Sequence, residues 1–272
     1  MSENAIPSAA DAAARRTKNS RAVQALARGG YIASGVLHLL VAWLAVQLAL
    51  GRPEGQPDGS GAFRTLAQMP GGDIALWAVA VGFAALAAWQ LLTAVVGVPN
   101  VGHQVGARTK SAAKGVLYVA LAVTGIRYAQ GTGGSGGSEE SLTADVLSMP
   151  GGRWLVGAGG LAVVAVGVYH VLKGVRKKFL RDLVGTGGSS VGPVVVRLGQ
   201  MGYAAKGIAL GIVGGLLVAA AVTTDPAQAG GLDEALRAVR DQPFGTVLLV
   251  VVGLGLGAFG GYSFARARFA RL

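Results

Sequence analysis

The chain contains no cysteine, and that absence removes disulfides, thiolate catalysis and every thiolate-held zinc, iron–sulfur or haem site. Charge is scarce too: Asp, Glu, Lys and Arg make up 14% of 272 residues, where a soluble domain carries about 25%. Acidic residues are the rarer sign, 13 against 24 Lys and Arg, and none of them falls inside a long apolar run. Carriers driven by protons or sodium usually keep a carboxylate near the membrane midplane, so this gap argues against coupled transport. The catalytic vocabulary is missing as well, with no Gly-Lys-Ser/Thr phosphate loop and no zinc-ligand spacing. Gly253-Leu-Gly-Leu-Gly257 sits inside an apolar run with no strand before it, which excludes a dinucleotide fingerprint. These absences predict a protein that is not an enzyme and needs neither cofactor nor metal.

What is present is apolar length. Hydrophobic residues reach 52%, and they gather into six runs: Tyr31 to Leu50, Ile74 to Gly97, Ala112 to Gln130, Trp154 to Leu172, Gly202 to Val222 and Gly245 to Phe264. A helix needs about 20 such residues to cross a ~30 Å hydrocarbon core, so the expectation is an all-α integral membrane protein with six transmembrane helices. The first run is of full membrane length with no small-residue cleavage site after it, and it reads as an anchor, not a signal peptide. Residues 1 to about 20, Ala-rich and polar, read as a mobile tail, and Arg15-Arg16 lacks the apolar follow-on of a twin-arginine signal.

Sorting the charges by loop gives an orientation. The tail, the loop from Val98 to Ser111, the loop from Lys173 to Met201 and the C-terminal segment, with Lys114 and Lys206 at adjoining helix mouths, hold 18 Lys/Arg and 3 Asp/Glu. The other three loops hold 5 Arg and 10 Asp/Glu, and Arg127 stands alone near the outer end of the third run. Loops rich in Lys and Arg stay cytoplasmic, which predicts a multi-pass protein of the inner (plasma) membrane with both termini in the cytoplasm. The net charge of +11 then reports topology. No nucleic-acid partner is expected, because the basic residues sit at helix mouths and are not interleaved with aromatics on a folded face.

The runs pair into three repeats. A small-residue start precedes the first run of each pair: Tyr31-Ile-Ala-Ser34-Gly35, Ser111-Ala-Ala-Lys114-Gly115 and Tyr203-Ala-Ala-Lys206-Gly207. A Pro turn precedes the second: Met69-Pro70-Gly71-Gly72, Met149-Pro150-Gly151-Gly152 and Gln242-Pro243-Phe244-Gly245. The glycines Gly35, Gly115 and Gly207 recur 80 and 92 residues apart, the prolines 80 and 93. Nineteen residues past each Pro stands an aromatic (Trp89, Tyr169, Tyr262), then Gln90, His170 or Ser263, and then Thr93, Lys173 or Arg266. The boundaries follow as a tail at 1–27 and hairpins at 28–100, 101–180 and 181–272. Three hairpins of equal orientation predict a pseudo-threefold arrangement. Each outer loop begins Gly-rich, as at Gly131 to Ser138, and continues with a short amphipathic helix ended by the Pro: Phe63 to Met69, Leu142 to Leu147 and Leu232 to Val239.

On these motifs, the Tyr-x-Ala-Lys-Gly start and the Gln-Pro-Phe-Gly loop end, the chain resembles a family of bacterial membrane proteins known only as a domain of unknown function, number twelve hundred and six. The resemblance covers about residues 25 to 268 and is closest in the third hairpin. The first hairpin has Ser34 in place of Lys, and the first two have Gly-Gly in place of Phe-Gly. It implies the three-hairpin architecture and no activity.

Several residues remain candidates for a site. His38 and His170, both near the inner end of their helices, are one possible pair of haem ligands; the alternative is two neutral imidazoles hydrogen-bonded to a neighbouring helix. Gly207, Gly211 and Gly215, with Gly253, Gly257 and Gly261, form ridges every four residues that suit close packing of the third hairpin, with a homo-oligomer interface as the alternative. Lys173, Arg176, Lys177 and Lys178 form a juxtamembrane cluster suited to anionic lipid headgroups or an acidic partner. The expected role is a structural or accessory membrane component contacting lipids, with a membrane-protein partner or a second copy of itself. The alternative is a channel or carrier for a small neutral or weakly polar solute, lined by Ser34, Gln47, Gln90, Thr93, Thr124 and Ser263.

Overall fold

The computed structural model describes residues 21–52, 55–96, 104–133, 138–183, 192–225, 229 and 231–270. The N-terminal tail, His103 and the middle of the Gly131 to Ser138 stretch lie outside them. The described residues form helices α1 (Arg21–Ala49), α2 (Gly59–Gln68), α3 (Gly72–Val96), α4 (Gln104–Ala129), α5 (Ser138–Ser148), α6 (Gly152–Val175), α7 (Pro193–Thr223), α8 (Leu232–Arg240) and α9 (Gly245–Phe269), with a 3₁₀ turn at Lys178–Asp182. Helices α1, α3, α6, α7 and α9 are long and apolar enough to cross a membrane. Helix α4 matches them in length, but Lys114 and Arg127 lie in its apolar part and the last turn is basic.

The short helices α2, α5 and α8 sit between the long ones, where amphipathic stretches were expected, but two begin earlier. In α2 the segment Gly59-Ser-Gly is helical because the Asp58 carboxylate accepts a hydrogen bond from Gly61 N (2.7 Å) and another from Ser60 Oγ (2.8 Å). A side-chain acceptor at the N-cap satisfies an orphan backbone donor, which offsets the poor helix propensity of glycine. At the other end Met69 is extended (ψ 149°), as the residue before a proline must be.

The tight re-entry after each Pro has a steric cause. Gly71 (φ 74°), Gly151 (φ 77°) and Phe244 (φ 62°) all take the left-handed conformation. The following glycines, Gly72, Gly152 and Gly245, face carbonyls of the preceding short helix. An added Cβ would stand 2.2 Å from Leu66 O, 1.7 Å from Val146 O and 1.9 Å from Arg240 O respectively. No other residue fits there.

The long helices pack in the order α4, α3, α1, α9, α7, α6. The main core fills the space among α1, α2, α3 and α9, with Phe63, Leu76, Phe83, Leu86, Leu48 and Leu249 fully enclosed. A second core, at the end where α1 begins and α9 finishes, joins Phe179 of the 3₁₀ turn and Leu183 just after it to Tyr203, Phe259 and Tyr262. Arg28 ties α1 to the end of α9 by donating to Ala267 O (3.0 Å) and to Arg268 O. Helices α4 and α6 share no packed face among the described residues, although both belong to the second hairpin; Lys110 Nζ reaches Tyr169 Oη (3.2 Å) across the space between them. Apolar side chains remain exposed on both, including Val116, Leu117 and Val123 on α4 and Leu161, Val168 and Leu172 on α6.

Candidate functional site

The repeat register brings charged residues from different hairpins to one place. Lys114 begins the apolar part of α4, Lys206 stands in α7, Lys173 near the end of α6 and Arg266 near the end of α9. Because first helices start and second helices finish at the same end of the bundle, these positions converge there. All four side chains are half-buried. Lys114 lies within electrostatic range of Arg266, Lys173, Lys110 and Asp182, and Lys206 within range of Arg266.

Aromatic rings floor and wall this recess. Lys206 Nζ lies 4.3 Å from the Phe259 ring centroid, Lys173 Nζ 4.9 Å from Tyr203 and the Arg266 guanidinium 4.4 Å from Tyr31. Tyr203 meets Phe259 at 5.2 Å, Tyr262 at 5.5 Å and Phe179 at 5.5 Å, edge-on to the first two and stacked on the last. Ring faces attract cations and make a partly dry position tolerable for them. They do not neutralise the charge.

A single carboxylate is on hand among the described residues. Asp182 accepts a hydrogen bond from Lys173 Nζ at 2.5 Å. Burial opposes its charge, but the Arg266 guanidinium, then Lys173 and Lys114, outweigh burial and hold its carboxyl below the usual aspartate value. Lys173 is thereby turned inward, away from the surface cluster predicted for lipid headgroups, whereas Arg176, Lys177 and Lys178 are exposed. Lys114, Lys206 and Arg266 make no direct ion pair with a carboxylate among the described residues, and Arg266 Nε is buried without any hydrogen-bond partner.

Both predicted histidines border the recess. His38 Nδ1 lies 2.7 Å from Ser34 O, which assigns its proton to Nδ1 and leaves Nε2 to accept from Lys206 Nζ at 3.1 Å. Both ring nitrogens of His38 are thus engaged by the protein. His170 donates from Nδ1 to Val166 O (2.8 Å) and stacks on Tyr203 at 5.7 Å.

Three of the predicted conduit residues turn their hydroxyls back on their own helices. The hydroxyls of Thr93, Thr124 and Ser263 each donate to the carbonyl four residues earlier, at 2.8, 2.9 and 2.9 Å. Gln47 and Gln90 are buried.

The glycine ridges join the third hairpin to its neighbours. A Cβ on Gly207 would stand 2.6 Å from Gly167 O of α6, and one on Gly253 or Gly257 would touch Ala42 of α1 at 3.4 Å. Gly261 faces Leu198 at 3.4 Å, while Gly211 and Gly215 have open space where a Cβ would go. A second close backbone approach between α6 and α7 uses residues outside the predicted ridges: Gly160 and Gly214, each 2.7 to 2.8 Å from the other's carbonyl as an added Cβ. The buried residues of α6 are Gly152, Gly160, Gly167 and Gly174, a spacing of seven to eight. That near-heptad is a readable packing signal, and the four-residue ridges drew attention from it.

Similarity to known proteins runs the length of the chain. It is 28% identical over 254 residues, 92% of either chain, to "Uncharacterized protein YxxB" of Bacillus subtilis (strain 168). No solved structure matches. A family model described as Domain of Unknown Function (DUF1206) matches residues 29–97, 109–177 and 201–270, one match per hairpin, and the chain belongs to that family.

Proposed function

We propose that this is a non-enzymatic, multi-pass component of the plasma membrane. Six helices cross in three hairpins about a pseudo-threefold axis, and the basic helix mouths face the cytoplasm. It acts through its surfaces, by contacts with lipids and with a membrane-protein partner or a second copy of itself. The observation that carries this reading is the order of packing. The second helix of each hairpin lies on the first helix of the next, as α3 on α4, α6 on α7 and α9 on α1. Three equivalent junctions in one molecule support a single unit repeated about an axis and open between α4 and α6, and within it α4 occupies the place of a crossing helix. Against catalysis stands the chemistry of the recess, whose carboxylate is committed to Lys173 and forms no acid–base pair with another. The conduit reading has weaker support, since three of the four hydroxyls named for it are returned to their own helices.

The junctions can be tested by disulfide cross-linking, which the cysteine-free chain permits without background. Ideal Cβ positions lie 3.2 Å apart for Gly125 and Ala80, 3.5 Å for Gly157 and Ala221, and 3.4 Å for Gly257 and Ala42. Disulfides form at Cβ separations of about 3.5 to 4.5 Å. Cysteine pairs at all three sites are expected to cross-link in membranes, one junction per pair. Failure at one junction with success at the other two contradicts the threefold repeat. For the role itself, the full chain reconstituted in vesicles is expected to support no solute flux, and a flux specific to one small solute would reinstate the conduit.

A further inference from the structure

The recess at the inner end holds more positive charge than the described protein answers. Asp182 hydrogen-bonds Lys173 and also faces Arg266 and Lys114, so one carboxylate stands among four cations, and Lys206 has no anion beside it among the described residues. Charges taken partly out of water are costly unless paired, and like charges brought together raise that cost. In a membrane-facing setting the cost is greater, and such groups usually mark a ligand. Two further features point to what answers them. Arg266 Nε is a buried donor with no acceptor, so a hydrogen-bonding position is left open beside the charges. The packing order leaves the bundle unsealed between α4 and α6, and both helices carry exposed apolar side chains, among them Val116, Leu117, Val168 and Leu172.

We propose that Lys114, Lys206 and Arg266 form a binding site for one phosphate-bearing anion, the chemistry shared by anionic phospholipid headgroups and free phosphate. The inference rests on the membrane-embedded reading above and goes beyond it by naming a ligand class and three residues. A phosphate suits the donor set because several oxygens can take hydrogen bonds from a guanidinium and two ammonium groups at once. His38 positions Lys206: its Nε2 accepts one ammonium proton and leaves the others for the ligand. The opening between α4 and α6 accommodates an acyl chain alongside the bound headgroup. The exposed cluster Arg176, Lys177 and Lys178 lies outside this site.

Native mass spectrometry of the full chain in mild detergent tests the site, with phosphatidylglycerol and phosphatidylcholine added in parallel. A second arm measures thermal protection by inorganic phosphate against chloride at equal ionic strength. The wild type is expected to retain phosphatidylglycerol about tenfold over phosphatidylcholine, and Arg266→Gln or Lys206→Gln to reduce that preference about tenfold, the effect of ~1.4 kcal/mol. A triple variant Arg176→Gln, Lys177→Gln, Lys178→Gln keeps the preference. Two variants guard against misfolding of either one, and circular dichroism verifies that each remains helical. Protection by phosphate without lipid preference, lost in the same variants, supports the site and assigns it a soluble ligand. Equal retention of both lipids with no phosphate protection overturns the proposal. So does a preference that survives both recess variants and vanishes in the triple variant. A chain that passes the cross-linking test and fails this one loses the anion site alone.

Discussion

At the scale of single residues, the third Pro turn departs from the other two in a way that costs stability. Gly71 and Gly151 hold the left-handed conformation at no steric cost, whereas Phe244 holds it with a side chain that is 85% exposed. A left-handed conformation costs a residue with a Cβ roughly 1 to 2 kcal/mol, and exposure returns nothing. Phe244→Gly is expected to raise the melting temperature of the purified protein, by the equivalent of about 1 kcal/mol, unless the ring is held by a partner in the membrane. The sequence showed that Phe replaced Gly here; it did not show that the position needs a positive φ, because only the turn geometry imposes that. Asp182 gives a second prediction at this scale. Its folded carboxyl is held below the ordinary aspartate value of about 4 by Arg266, Lys173 and Lys114, against burial. The stabilisation is therefore present above that value and disappears as pH falls through the lower folded value. Asp182→Asn is expected to melt below the wild type at neutral pH, with the gap closing below about pH 4 in an acid series of melting curves.

Among the elements, α6 is the one whose packing rests on glycine. Its apolar side chains are mostly exposed and its buried positions are Gly152, Gly160, Gly167 and Gly174. A Cβ at Gly167 would meet Gly207 O at 2.6 Å and Gly211 N at 2.8 Å, both backbone atoms that cannot rotate away. Gly167→Leu is expected to separate α6 from α7 and lower stability by about 1 to 3 kcal/mol or more. Gly159→Leu, where nothing lies within 4 Å, leaves melting unchanged. The long helices were legible because apolar length is a one-dimensional property. The start of α2 was not, because the Gly59-Ser-Gly segment reads as flexible until the Asp58 carboxylate is seen to cap it. The glycines at α6 escaped notice for a related reason: a near-heptad only becomes an interface when the facing helix supplies Gly207 and Gly214 opposite it.

For the molecule as a whole, the repeats carried more of the candidate site than the charge count did. Lys114 and Lys206 share one register, Lys173 and Arg266 another, and both registers can be read directly from the Gly and Pro landmarks. Their first-hairpin counterparts, Ser34 and Thr93, are neutral, so the recess draws its charge from the second and third hairpins. What the sequence concealed is convergence: residues counted as separate topology signals at separate mouths lie around one space, since the order α4, α3, α1, α9, α7, α6 bends the mouths together. The same geometry turned Lys173 from a surface residue into the partner of Asp182.

The whole account depends on α4 crossing the membrane despite Lys114 and Arg127, because one crossing fewer would invert everything after it. Single cysteines at Met69, Met149 and Gln242, exposed residues beside the three Pro turns, measure this directly when intact cells are treated with a membrane-impermeant maleimide. Six crossings predict labelling of all three from outside. Labelling of Met69→Cys alone, with Met149→Cys and Gln242→Cys reached only after permeabilisation, would contradict the architecture.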